Sequence, residues 1–421
     1  MLGKLIVKKA QAKELEKEEF DYAVNYLLKN GVDSTGIKFF LALNSFGMTK
    51  KEVLRLACAL RDSGTIVKTD GDVFEKHSTG GIGDSTSVVL IPLLASMGYK
   101  TVKTTGRSLM YMNGSSDRFR SIPGFNVDLT EDEIKKVLNV TNACVLSHTG
   151  EVCPADKLLF DIMETAGIEN DLNILAASIV SKKLASGAKV VLVDVKYGNA
   201  SVVKTFKQAK ALAGVLKYAF EESGVASTIV ITSTLQTIGE GIGNAIEVAD
   251  GLKVLQGKKC FLRQVVSRYA AEMMIDYDKK LTKALAYEMI DNVLDTGKAY
   301  QKFMEIIKAQ GGDVKMVEDG KIFNPYKSTN FVADRDGYVG SINTLLLGEL
   351  VRRLCSETHD NNIGVAVRVK IGDFVRAGDV IISFYYKDEK DLFDYKNAIA
   401  GCIGITENKI KKIRVLKKVI R

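Results

Sequence analysis

Seven residues, Lys189-Val190-Val191-Leu192-Val193-Asp194-Val195, constrain the fold of this chain more than any other stretch. The run is dominated by Val and Leu, is short for a helix, and lacks the alternation of a strand with one wet face. It reads as a strand covered on both sides, as in parallel sheets flanked by helices. Strand-like segments at Tyr99–Lys103 and Thr228–Thr232 alternate with helical periodicity near Lys204–Glu222 and Gly243–Leu255. That alternation begins near Phe74 and is the pattern of a βα series. Helical segments continue from Phe261 to about Ala309.

Both ends differ from this middle. Leu15, Phe20, Ala23, Val24, Tyr26 and Leu27 line one face of a helix ending at Asn30-Gly31, and a second covers roughly Ile37 to Leu43. Thr49 N-caps a third, with Glu52 completing a capping box, and Thr130-Glu131-Asp132-Glu133 opens another. Helical periodicity returns at Ala155–Ala166 and Leu172–Ala185. In the last ninety residues, Val332–Val339 and Gly372–Asp379 read as short strands joined by Gly/Asp turns. The second resembles a turn of biotinyl-type barrels without the carrier lysine between methionines, so a structural β module is expected.

Composition excludes several classes. At 421 residues the chain has room for two or three domains, and 46% apolar with 26% charged residues is ordinary for a soluble protein. The net charge of +8 is dispersed, and its densest run, Lys409 to Lys418, reads as an edge strand kept soluble by lysines. No groove-reading motif accompanies it, so nucleic acid is not an expected partner. Val88–Ala95, the longest dense apolar run, is too short to span a bilayer, and Met1–Phe20 is too charged for a signal peptide. Six scattered cysteines without a CxxC pair give no metal-ligand spacing or disulfide framework, and a reducing cytoplasm is expected.

The chemistry concentrates in Lys76-His77-Ser78-Thr79-Gly80-Gly81-Ile82-Gly83-Asp84, just before the helix-like run Ser85 to Met97. Small residues let the backbone approach a ligand, and N–H groups at a helix start favour an anion. The expected ligand is phosphate. The stretch resembles the Lys-His-Ser-Thr-Gly-Gly signature of the thymidine and pyrimidine-nucleoside phosphorylases. The resemblance continues, in order and spacing, through Asn44–Thr49, Ser121–Phe125, Thr149-Gly150, Pro154–Lys157, Ala177–Lys183, Val193–Lys196 and Gly243–Val248.

That resemblance implies an α/β fold with a small all-helical domain, a larger α/β domain with a mainly parallel sheet, and a C-terminal α+β/β module. The matching boundaries here are 1–66 with 155–186, 67–154 with 187–330, and 331–421. It implies reversible phosphorolysis, in which inorganic phosphate as co-substrate displaces a pyrimidine from C1′ of a nucleoside to give a pentose 1-phosphate. It further implies a cytoplasmic homodimer joined through the helical domain, with no partners beyond small molecules. Carried over by position, phosphate falls to Lys76, Ser78, Ser87, Thr105 and Ser115, and the base to Ser178, Lys182 and the position of Met163. His77, Lys182 and Arg107 form the catalytic set, His77 lying near the 2-oxo group of the base. Glu247 stands where some relatives hold a monovalent cation; no other cofactor or metal is implied.

The chain departs from the family pattern at several points. Met163 replaces an arginine that donates to the 4-oxo group, which suggests tolerance of a base such as cytosine. Bulky residues occupy Ser108 to Asn113, where the family has small ones. Gly198–Val202 and Ser233–Gly239 differ as well, and a glycine-rich segment after Leu354 is lacking. Two readings stay open on these residues: an active phosphorylase with altered base or sugar preference, and a degenerate paralogue that binds phosphate or nucleoside without turning it over. A phosphoribosyltransferase related to anthranilate is more distant, since Ser178 with Lys182 argues against it.

Overall fold

A computed structural model describes residues 1–105, 114–147 and 151–421. The substituted stretch 108–113, Arg107 and the Thr149-Gly150 pair therefore lie outside the described residues.

Five parallel strands form the centre: β1 (Val73–Ser78), β2 (Lys100–Thr104), β3 (Ala143–Leu146), β4 (Ala188–Tyr197) and β5 (Ala226–Ser233). Their spatial order is β5-β4-β1-β2-β3, and the C-terminal strand Leu416–Ile420 adds antiparallel to β5 at the edge. Lys417 and Lys418 are exposed there, as expected for a tail that closes a sheet edge.

β4 shows why Val190 to Val193 is continuously apolar. Val190 and Leu192 enter one apolar core, while Val191, Val193 and Val195 enter the other. The first core is capped by the buried helix Thr86–Ser96 together with Phe261–Tyr277 and Lys298–Ala309. On the opposite face, Phe206–Glu222 packs on β4 and β5 and touches the helices Lys50–Arg61 and Leu172–Ala185.

Lys50–Arg61 and Leu172–Ala185 form the closest pairing of a helical group that includes Lys17–Asn30, Ser34–Phe46 and Pro154–Ala166. Leu2–Ala10 joins this group by packing on Ser34–Phe46. Sequence periodicity did not mark that first helix. It is secured by tertiary contact, where buried Lys9 pairs with Glu52 at 2.7 Å.

The C-terminal part holds two antiparallel sheets of three and four strands, one of which recruits Gly241–Ile242 from the α/β part. The two expected β segments each turn between strands. Lys327–Val332 and Gly337–Ile342 flank the first turn, and Phe374–Val375 and Val380–Tyr386 flank the second. Helices Thr344–Thr358 and Glu389–Ala400 also lie in this part and supply the helical share of the expected α+β/β module, though no helical pattern was read at these positions.

Candidate active site

The carboxyl ends of β1 and β2 open onto the helix Leu172–Ala185, which is where ligands bind in open α/β sheets. A cavity of about 90 Å³ lies there, lined by the β1 end, by Lys103 of β2 and by Ser178 and Lys182 of that helix.

The helical wall carries Ser178 and Lys182, the two groups expected to contact the base. Ser178 and Lys182 are four residues apart, so one helical face presents both. Lys182 Nζ lies 2.5 Å from Ser178 Oγ and 2.6 Å from Asp156 Oδ2. Its ammonium also sits 5.1 Å from the Phe160 ring centroid, and Phe160 lines the cavity. Met163, three residues after Phe160 in the helix Pro154–Ala166, does not line it. Its side chain is fully buried in the apolar core beside Leu159 and Ile162. The expectation of Met163 as a base contact is corrected accordingly: helix geometry gives the cavity-facing position to Phe160.

His77 faces the same space from the end of β1. Burial, reinforced by Lys183, Lys103 and Lys182, holds its pKa well below the ordinary histidine value, so the imidazole is neutral at pH 7. Its Nδ1 is buried with no hydrogen-bond partner among the described residues.

On the opposite wall, Ser78, Thr105 and Ser115 line the cavity as expected of phosphate contacts, whereas Lys76 and Ser87 do not. The reason for Lys76 is electrostatic. Its ammonium lies 3.2 Å from Asp84 Oδ2 and 2.9 Å from Thr86 Oγ1, and is committed to a buried carboxylate that also accepts from the Thr86 N–H. Asp84 is thus the anion at the start of helix Thr86–Ser96. Burial would raise its pKa, but Lys196 and Lys76 hold it well below the usual carboxylate range. Ser87, in the first turn of that helix, is buried away from the cavity.

On this wall Lys103 reaches the cavity where Lys76 does not. Its ammonium donates to the Lys76 carbonyl at 2.8 Å and, at 3.5 Å, to the Thr104 carbonyl, with no carboxylate within salt-bridge distance among the described residues. Burial, with Lys183 beside it, pushes its pKa well down. Sequence reasoning passed over Lys103. The available signal was its place at the carboxyl end of a strand otherwise read as covered.

The glycines also act differently from expectation. Gly80 has φ +95 and lines the cavity. A Cβ on Gly81, however, would meet Lys196 Cδ at 2.4 Å, and one on Gly83 would meet Thr237 at 2.8 Å. Those two positions are small because protein side chains occupy the space.

Glu247 is fully buried, and Arg118 Nε donates to its Oε2 at 2.5 Å while the Gly243 N–H approaches Oε1 at 3.4 Å. A guanidinium at that distance already supplies the counter-charge and repels a second cation. The donors around Glu247 therefore do not fit a monovalent cation. Among the described residues, no cluster of His, Cys, Asp or Glu could hold a metal ion either.

Taken together, the walls of this cleft can hold an anion through hydroxyls and Lys103 while presenting donors from Ser178, Lys182 and His77 to a polar ring. A family model described as "Glycosyl transferase family, a/b domain" matches residues 70–300. The chain is 32% identical over 398 residues to the pyrimidine-nucleoside phosphorylase of Bacillus subtilis, covering 91% of this chain and 92% of that one. It is 30% identical over 428 residues to a pyrimidine-nucleoside phosphorylase of Staphylococcus epidermidis, covering 99% and 98%. Against the thymidine phosphorylase of Colwellia psychrerythraea identity is 31% over 411 residues, covering 93% of each. An anthranilate phosphoribosyltransferase from Thermus thermophilus superposes with a TM-score of 0.60 at 16% identity, covering 72% of this chain and 98% of that one, a likeness of fold alone.

Proposed function

Because the chain belongs to the glycosyl transferase family of the pyrimidine-nucleoside and thymidine phosphorylases, we propose that its cleft carries out reversible phosphorolysis of pyrimidine nucleosides. The observation that carries this reading is the meeting of Ser178, Lys182 and His77 with Ser78, Thr105, Ser115 and Lys103 around one cavity. Phosphate held by the hydroxyls and Lys103 attacks C1′. The C1′–O bond forms as the glycosidic C–N bond breaks, and the electron pair leaves with the base. Lys182 and the neutral imidazole of His77 donate to the ring oxygens as negative charge develops there, which favours the transition state over the bound substrate. Arg107 belongs to the proposed catalytic set on its Gly-Arg pair.

Among the described residues of the site, nothing favours a non-catalytic paralogue. With Met163 in the core, the case for cytosine loses its support. The test is phosphate-dependent base release from thymidine, uridine, deoxyuridine, cytidine and a purine nucleoside. Release of thymine or uracil, abolished by His77→Ala, is expected; no release from any nucleoside in the presence of phosphate would overturn the reading.

We also propose that the protein is a cytoplasmic homodimer joined through its helical group. Supporting this, Val7, Leu28, Val32 and Phe46 of that group are exposed, and all six cysteines are free thiols. Among the described residues, no helix is long and apolar enough to cross a membrane.

A further inference from the structure

Arg118 reaches the same cavity as Lys103 and Ser115 yet belongs to none of the roles assigned above. It is 5% exposed and makes one side-chain hydrogen bond among the described residues, from Nε to Glu247. Its terminal nitrogens have no protein partner there. A buried guanidinium whose terminal donors open onto a polar cavity is matched to an oxyanion, which it binds through two parallel N–H···O bonds. Glu247 grips Arg118 through Nε, which fixes the plane of the fork and leaves the terminal donors without a protein partner among the described residues. Glu247 is in turn steadied by the Gly243 N–H.

The charge balance around the cavity points the same way. Lys76 and Lys196 are both within 3.5 Å of Asp84, and Lys196 also pairs with Asp194 at 2.6 Å. Those two cations are spent on buried carboxylates. Among the described residues on the phosphate side of the cavity, Lys103 and Arg118 are then the cations not paired to Asp84 or Asp194.

We propose that Arg118 is a second cationic ligand for the phosphate, beside Lys103, and that Glu247 is the residue that positions it. The inference rests on the phosphorolysis reading for the identity of the anion. It also reassigns Glu247 from a metal contact to the support of an arginine.

The test titrates inorganic phosphate into the full chain by calorimetry, without nucleoside, and then measures KM for phosphate and for nucleoside separately. Arg118→Met alone leaves Glu247 as a lone buried carboxylate, so the double variant Arg118→Met with Glu247→Gln is made alongside it. Both are expected to weaken phosphate binding by about tenfold or more, the scale of a lost charge-assisted pair. KM for phosphate rises while KM for nucleoside holds. Arg118→Lys keeps the charge without the fork and recovers part of the binding. Glu247→Gln alone gives a smaller loss, again confined to phosphate.

Wild-type phosphate affinity in a folded double variant would overturn the proposal, as would equal rises in both KM values. Because the calorimetry needs no turnover, wild type that binds phosphate but releases no base refutes the phosphorolysis reading and leaves this assignment measurable. Wild type that binds no phosphate at millimolar concentration overturns it.

Discussion

His77 shows how burial sets the chemistry of a single residue. Its neighbours are lysines, and its pKa lies well below the ordinary 6.5. In the unfolded chain the same imidazole takes up a proton near pH 6.5. Below that pH the unfolded state therefore binds a proton that the folded state does not, and stability falls as pH falls. Urea unfolding at pH 7.5 and pH 5.5 is expected to show this loss in wild type and a smaller one in His77→Asn. Equal losses in the two proteins would show that His77 is not the group responsible. In the proposed reaction, the consequence is a neutral donor toward the base rather than an imidazolium acid.

At the scale of elements, the cleft depends on a buried ionic knot that ties β1 to the helix Leu172–Ala185. Glu75 on β1 accepts from Lys183 and Ser186 and from the Thr104 N–H at 2.6 Å, so one carboxylate joins the strand, its neighbour β2 and the helix. Lys183 also donates to the Thr104 carbonyl at 2.9 Å. Both members of the Glu75–Lys183 pair are fully buried. Removing one partner strands the other in a low-dielectric interior, at a cost of about 3–5 kcal/mol. Glu75→Ala is accordingly expected to lower the melting temperature and, by loosening the helix that carries Ser178 and Lys182, to raise KM for nucleoside. Glu75→Gln keeps part of the hydrogen bonding and falls between. An unchanged melting temperature for Glu75→Ala would refute the knot's structural role.

Across the whole molecule, distant segments of chain close on one another around the cleft. The C-terminal part is fastened to the α/β part by Lys370, whose ammonium donates to the Thr237 carbonyl at 2.9 Å and the Gly239 carbonyl at 2.7 Å. Burial pulls the pKa of Lys370 down to about 8. Gly348 packs against Ile82 of the glycine loop, where a Cβ would stand 2.2 Å from Ile82 Cδ1. The loop is thus braced from the C-terminal part. The helical group, by contrast, exposes Val7 and Phe46. Sedimentation is expected to give twice the 46.1 kDa chain mass, reduced to one chain by Val7→Glu combined with Phe46→Glu. A 46.1 kDa wild-type species would sink the dimer proposal.

Local pattern by itself determined the covered parallel sheet, because the unbroken apolar run of β4 has no stable place except between two cores. It also determined the capped helices at Thr49 and Thr130, whose side chains close their own capping boxes. The Ser178–Lys182 pair was legible through the family resemblance, and its spacing of four put both on one helical face. What needed the tertiary structure were the partners of charged groups. Lys76 took the phosphate role from its motif and Lys103 took none, but folding brings Asp84 to the first and leaves the second facing the cavity. Met163 and Phe160 differ by less than one helical turn, and packing decides which of them meets the ligand. Arg118 and Glu247 lie 129 residues apart, and no sequence window contains both. A charge takes its role from its nearest counter-charge, and that distance exists only once the chain has folded.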